Sequence, residues 1–141
     1  MKKILLCVPL TSLLFAAVAQ NVPSLLLNDT YRIVTAAQPI PAEEFAATEL
    51  KAYLDKVTGK TFVVVSEADH DGTPAIHLGQ TALAATNRSG DYGKEEYHLK
   101  TVGKNIIITG GRPRGVLFGT YEFLERFAGV RFLSINFEHV P

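Results

Sequence analysis

The chain has 141 residues, 47% of them hydrophobic and 20% charged, a balance that suits a folded globular domain and excludes a disordered or collagen-like polypeptide. Such a length allows one domain, and it is too short for a (β/α)₈ barrel, which needs roughly 200–250 residues. Fourteen basic residues cancel fourteen acidic ones, so no net charge directs the chain to nucleic acid or to an anionic membrane surface.

Lys2 and Lys3 followed by the apolar run Ile4 to Val18 and the small residues Ala17-Val18-Ala19 read as a cleavable export signal over residues 1–19, with cleavage after Ala19. The apolar run is too short for a membrane span, and Cys7 stands too near the amino terminus to be a lipoprotein cysteine. Removal of the signal takes Lys2, Lys3 and Cys7 with it. The mature chain then carries twelve basic and fourteen acidic residues, a charge of −2, and no cysteine. A secreted or periplasmic protein of this kind is held by core packing without disulfides, and no membrane association is expected after cleavage.

Along the mature chain, Ser24–Leu27 and Tyr31–Thr35 read as strands of a hairpin around Asn28-Asp29-Thr30. Pro41 suits the first position of a helix, Glu43 and Glu44 suit its positive end, and Ala46, Leu50, Tyr53, Leu54 and Val57 line one face until Gly59 caps it. Thr61–Val65 is β-branched and apolar enough to be a strand covered on both faces. A polar turn over 68–73, a short strand at Ala75–Gly79, a weak helix at Gln80–Thr86 and a surface loop at Asn87–Lys94 follow. Glu96–Val102 and Asn105–Thr109 form a hairpin around Gly103-Lys104. Gly110–Gly115 leads into the longest helix, with Pro113 near its first position and Gly129 at its end, and Val130–Leu133 is the last strand. Residues 134–141 have no periodicity and read as an irregular tail whose Ile135, Phe137 and Val140 are left bare for a partner, so that removing the tail should not lower stability. The fold class that follows is α+β in two layers, a mixed sheet with about three helices packed on it.

Chemistry is sparse. Gly110-Gly111-Arg112-Pro113-Arg114-Gly115 joins a strand to a helix, the setting of phosphate-binding loops, but its spacing matches neither G-x-G-x-x-G nor G-x-x-x-x-G-K-[ST], and Pro113 lacks a backbone donor. Gly111, Gly115 and Gly119 are better read as a smooth stripe that lets the helix lie close on the sheet. Glu43-Glu44 and Glu95-Glu96 are sequence neighbours that point apart, and they read as solvated charges rather than a glycosidase pair. Asp69-His70-Asp71, with His77 and His98 on separate strands, has no metal-ligand spacing and reads as a polar turn. Asn28-Asp29-Thr30 and Asn87-Arg88-Ser89 are glycosylation sequons. The residues themselves supply no catalytic, cofactor-binding or metal site.

Three segments, Pro41–Leu54 with Gly59, Ile76–Gly79, and Gly110–Glu125 followed by Gly129-Val130-Arg131-Phe132, resemble the amino-terminal domain of alpha-glucuronidases of glycoside hydrolase family 67. More distantly they resemble the domain that precedes the barrel in beta-N-acetylhexosaminidases. The resemblance covers about residues 24–133. It implies a two-layer α/β domain over 20–133, hexosaminidase second-domain-like, whose parent enzymes keep their catalytic carboxylates in a following barrel; no catalytic residue is carried over to this chain. It therefore implies a non-catalytic accessory domain of an exported glycoside hydrolase, tied to glucuronate-bearing polysaccharide such as xylan. Its partner would be a catalytic barrel in cis or trans, with no cofactor and no nucleic acid. The rival reading is a free-standing carbohydrate- or protein-binding module, for which the lack of tryptophan is a weakness that five tyrosines and the eight phenylalanines less Phe15 partly offset.

Overall fold

Two of the longest apolar stripes in the sequence become the two helices that cover one side of a sheet. The computed structural model describes residues 30–134 and 137–141. In chain order the elements are β1 (Arg32–Thr35), α1 (Pro41–Thr58), β2 (Val63–Ser66), β3 (Ala75–Leu78), α2 (Ala82–Thr86), β4 (Tyr97–Val102), β5 (Asn105–Gly110), α3 (Gly115–Phe127), β6 (Arg131–Ser134) and β7 (Phe137–His139). The first five strands form one sheet in the order β2-β1-β3-β5-β4, and β6 and β7 form a separate antiparallel pair. Neighbours in the large sheet are parallel except β4, which runs antiparallel to β5. The fold is thus α+β with a mixed sheet and three helices among the described residues.

Alternation along the strands sets the two faces. Ile33, Ile76, Leu78, Ile106 and Ile108 join Ala46, Leu50 and Leu54 of α1 and Val116, Phe123 and Leu124 of α3 in one core. The intervening Val34, Ala75, His77 and Ile107 are buried on the opposite side. Helix α1 packs on α3 and on β1 and β2, while α3 packs on β4 and β5. At the start of α1, Pro41 takes the first position, and the Glu43 carboxylate accepts the Ile40 N–H at 3.1 Å, the half of a capping box that a glutamate supplies. Gly59 ends the helix at φ 65°, and Asp55 reaches past it to accept the N–H of buried Phe62 at 2.8 Å.

Four expectations change. The strand placed at Ser24–Leu27 lies outside the described residues, and β1 is paired on both edges, by β2 and β3, which leaves no edge of β1 open for a hairpin. Strand β2 is an edge of the sheet, and Val63 is 42% exposed rather than covered; Phe62, just before it, carries the burial instead. The helix expected to be the longest begins at Gly115, with residues 111–114 forming a turn that has a cis Arg112–Pro113 peptide, and its 13 residues are fewer than the 18 of α1. Residues 137–139 are not irregular. They pair with β6, and Val140 packs against the core; Ile135 lies outside the described residues. No described helix is long and apolar enough to cross a membrane.

Candidate functional site

The glycine-rich turn is the first place where the sequence suggested chemistry. Several of its donors are already engaged. The Gly111 N–H donates to the Glu96 carbonyl at 2.9 Å and the Gly115 N–H to the Gly111 carbonyl at 2.8 Å. Arg114 pairs with Glu95 on the surface. Arg112 reaches across to α1 and grips Glu43 with two bonds, Nε to Oε1 at 3.1 Å and Nη2 to Oε2 at 3.0 Å, while Nη2 also meets the Gln38 carbonyl at 3.3 Å. Glu43 is only 2% exposed, so its reading as a solvated charge is corrected: it is a buried carboxylate that closes the end of α1 and anchors the turn before α3. A bidentate guanidinium and a backbone N–H satisfy it, which makes burial of the charge tolerable. Gly79 follows β3 at φ 85°, where an added Cβ would press on the Glu43 carboxyl at 3.2 Å. Glu44, Glu95 and Glu96 are exposed, as expected for solvated charges.

The glycine stripe is a packing device. A Cβ at Gly111 would collide with the Gly93 carbonyl and one at Gly115 with the Glu96 carbonyl; one at Gly119 would stand 3.0 Å from the Tyr97 Cβ. The helix start and the chain leading into β4 touch backbone to backbone.

On the opposite face of the sheet, the histidines divide. His70 and His77 meet edge to face with ring centroids 5.6 Å apart, and the Nδ1 of each is buried without a hydrogen-bond partner. His98 belongs elsewhere, stacked on Tyr92 at 4.7 Å and 3.3 Å from Glu96. Burial, and then the nearby His70, hold the His77 imidazole below its ordinary pKa, with Glu67 opposing. Asp71 turns to Thr73, whose hydroxyl and N–H hold its carboxyl below the usual value. A cavity of about 260 Å³ opens beside this turn, between Arg32, Val63 and the 69–71 segment. Among the described residues no group of three or more His, Cys, Asp or Glu is placed to hold a metal ion. Of the sequons, Asn28 lies outside the described residues, and Asn87 is half-buried at the end of α2, its amide donating to the Leu83 carbonyl at 3.0 Å.

A second concavity has no counterpart in the sequence reading. It encloses about 720 Å³ between α1, α3 and the β6–β7 pair. Its floor is a row of three rings: Phe132 of β6 sits edge to face between Tyr53 of α1, at 5.3 Å, and Tyr121 of α3, at 5.0 Å. Both phenols are tied to carboxylates, Tyr53 to Glu138 and Tyr121 to Glu49 at 2.9 Å. The Glu138 hydrogen bond pushes the Tyr53 phenol far above its ordinary value, and burial pushes Tyr121 up to about 12. Lys56 meets Glu138 at 3.3 Å and lies 4.8 Å over the Tyr53 ring. Glu125, Ser134 and Phe137 complete the walls. Sequence reasoning missed this site because its residues come from four elements, one of them in a segment read as irregular. The aromatic Tyr53 and Tyr121 on the facing stripes of α1 and α3 were the only signal available.

Comparison with known proteins finds relatives of this chain. Residues 15–123 match the family described as the glycosyl hydrolase family 67 N-terminus. The chain is 30% identical over 129 residues to Alpha-glucuronidase A of Emericella nidulans, covering 86% of this chain and 14% of that protein. It is 31% identical over 109 residues to Probable alpha-glucuronidase A of Aspergillus terreus, covering 70% of this chain and 12% of that protein. Among solved structures it is similar to a GH138 enzyme targeting pectin rhamnogalacturonan II, at 22% identity and a TM-score of 0.43, over 67% of this chain and 10% of the other. The chain therefore spans about one seventh or less of the length of the alpha-glucuronidases it matches.

Proposed function

Because the chain belongs to the glycosyl hydrolase family 67 N-terminal domains, we propose that it is a non-catalytic accessory domain of an exported glycosidase acting on glucuronate-bearing polysaccharide such as xylan. Its role is to dock on a catalytic barrel, in cis or in trans, and to shape the approach to that barrel's site. The observation that carries the non-catalytic part is the commitment of buried and half-buried carboxylates to structural partners; Glu125 is the exception, and the carboxylate that shares its cavity, Glu138, is itself held by Tyr53 and Lys56. Glu43 is held by Arg112, Glu49 by Tyr121, Asp55 by the Phe62 N–H, and Glu67 by the N–H groups of Ala37 and Ala82. A glycosidase needs two carboxyl groups facing one bond across a cleft, one of them free to donate a proton. The docking part is supported by Phe127, Leu133 and Phe137, large apolar side chains each exposed by more than 60% near the carboxyl end. Export is supported by the signal-like pattern of residues 1–19.

The test is direct. Purified chain is expected to release no product from aryl glucuronides or from glucuronylated xylo-oligosaccharides. Turnover that survives repurification and is lost on substitution of a carboxylate of this chain would overturn the proposal.

A further inference from the structure

The aromatic cavity between α1, α3 and the β6–β7 pair has the chemistry of a ligand site in its own right. We propose that it binds an uncharged pyranose unit of an oligosaccharide. At about 720 Å³ it lies within the range of small-ligand sites, roughly 300–1,000 Å³. Its apolar floor is fixed before any ligand arrives, since Tyr53, Phe132 and Tyr121 wedge one another edge to face and both phenols are anchored by carboxylates. A floor so held costs little ordering on binding.

The walls supply the rest of what a sugar requires. Phe137 is 63% exposed beside the cavity, an aromatic surface left free to lie against the C–H face of a pyranose ring. Glu125 lines the opening, and its carboxylate makes no hydrogen bond or ion pair within the described residues, so both oxygens are free to accept from neighbouring sugar hydroxyls. Ser134 adds a hydroxyl able to donate or accept.

Charge then selects the kind of sugar. Glu125 and Glu138 line the cavity and Glu49 stands behind Tyr121, whereas the two cations nearby are already engaged, Lys56 by Glu138 and Arg131 by the Glu125 carbonyl at 2.7 Å. A uronate carboxylate would meet two carboxylates and no lysine or arginine among the described wall residues, whereas neutral hydroxyls find acceptors. An organic cation is the competing occupant that an acidic aromatic pocket invites, but Lys56 already occupies the space over Tyr53. The proposal rests on the accessory-domain reading only for the choice of probe, a neutral xylo-oligosaccharide.

The experiment is a titration of the chain followed by the aromatic and amide resonances, with xylotetraose, glucuronate and tetramethylammonium as separate ligands. Xylotetraose is expected to shift resonances of Tyr53, Tyr121 and Phe132 saturably, and glucuronate to leave them unmoved. Phe137→Ala should weaken xylotetraose binding by about tenfold, the loss of one stacking contact. Glu125→Gln should weaken it severalfold and relax the exclusion of glucuronate. Both residues sit at the surface of the cavity, and unchanged amide spectra elsewhere would verify that the variants are folded. Absence of saturable shifts with xylotetraose, equal binding by both variants, or stronger binding of glucuronate or tetramethylammonium would overturn the proposal. None of these outcomes depends on hydrolysis, so the binding site fails or stands separately from the non-catalytic reading.

Discussion

His77 shows what a single side chain adds to this fold and what it costs. It sits in β3, buried on the sheet face opposite α1 and α3, with its Nδ1 unpartnered and His70 packed edge-on against it. Burial and then His70 depress its pKa below 6.5, so well above that pH the ring is neutral in folded and unfolded chain alike and contributes no pH dependence. As pH falls from 6.5 through the folded value, the unfolded chain takes up the proton first, and stability is lost. The denaturant midpoint of the natural chain is therefore expected to drop as pH falls below about 6.5, and His77→Phe should flatten that part of the curve. Parallel curves for the two proteins would show that His77 does not carry the effect. Neither this histidine pair nor the Glu43–Arg112 grip was legible in the sequence. His70 and His77 are close in the chain, but only the loop that brings the 69–71 turn back over β3 faces them to each other. Glu43 and Arg112 are 69 residues apart, and nothing in a glutamate at the start of a helix distinguishes a capping charge in water from one sealed by a distant arginine.

Elements were more readable than pairs, because hydrophobic period and turn chemistry are local. The bounds of α1 follow from Pro41, the acidic first turn and Gly59, and the β4–β5 hairpin from Gly103-Lys104, whose flanking residues Val102 and Asn105 pair in register. Coverage of an element is not local, which is why β2 was expected inside the sheet and lies at its edge: Val63-Val64-Val65 says strand, but only the partners of β1 decide how many neighbours β2 has. The glycines of α3 sit between these cases. Their spacing was visible, and the structure supplies the surface they touch. Gly115→Val is expected to destabilise the chain by about 3 kcal/mol, since its first added atom meets the Glu96 carbonyl, a backbone group with little freedom to retreat. Gly119→Ala should cost less, about 1 kcal/mol, because it presses on the Tyr97 side chain at 3.0 Å and Ile108 at 3.2 Å, which have some room to adjust. Chemical denaturation of the two variants checks the order; equal midpoints would mean that the helix start and the chain before β4 separate readily.

At the scale of the whole molecule the question is where the domain stops. Read as an irregular extension, residues 134–141 would be a detachable surface for a partner. In the structure they do two jobs. Glu138 bonds to Tyr53 and Lys56 across to α1, Val140 packs against the core, and Pro141 lies over Gly129. Leu133 and Phe137, by contrast, stay open to solvent. Removing residues 137–141 therefore takes away a half-buried valine, a strand pairing and the carboxylate that fixes Tyr53, and leaves the floor of the aromatic cavity uncovered. The expected loss is about 2–4 kcal/mol, read as a lower melting temperature and a lower denaturant midpoint. The double substitution Leu133→Ser and Phe137→Ser removes only exposed apolar surface, and should leave the melting temperature within a few degrees of the natural chain. It should nevertheless weaken any association with a barrel partner, and Leu133→Ser alone, which leaves Phe137 on the cavity wall, should do so in part. A truncation that melts like the intact chain would return the segment to the status of a loose extension. A double substitution that unfolds the protein would instead place Leu133 and Phe137 within the domain's own packing, and the docking surface would have to be sought elsewhere.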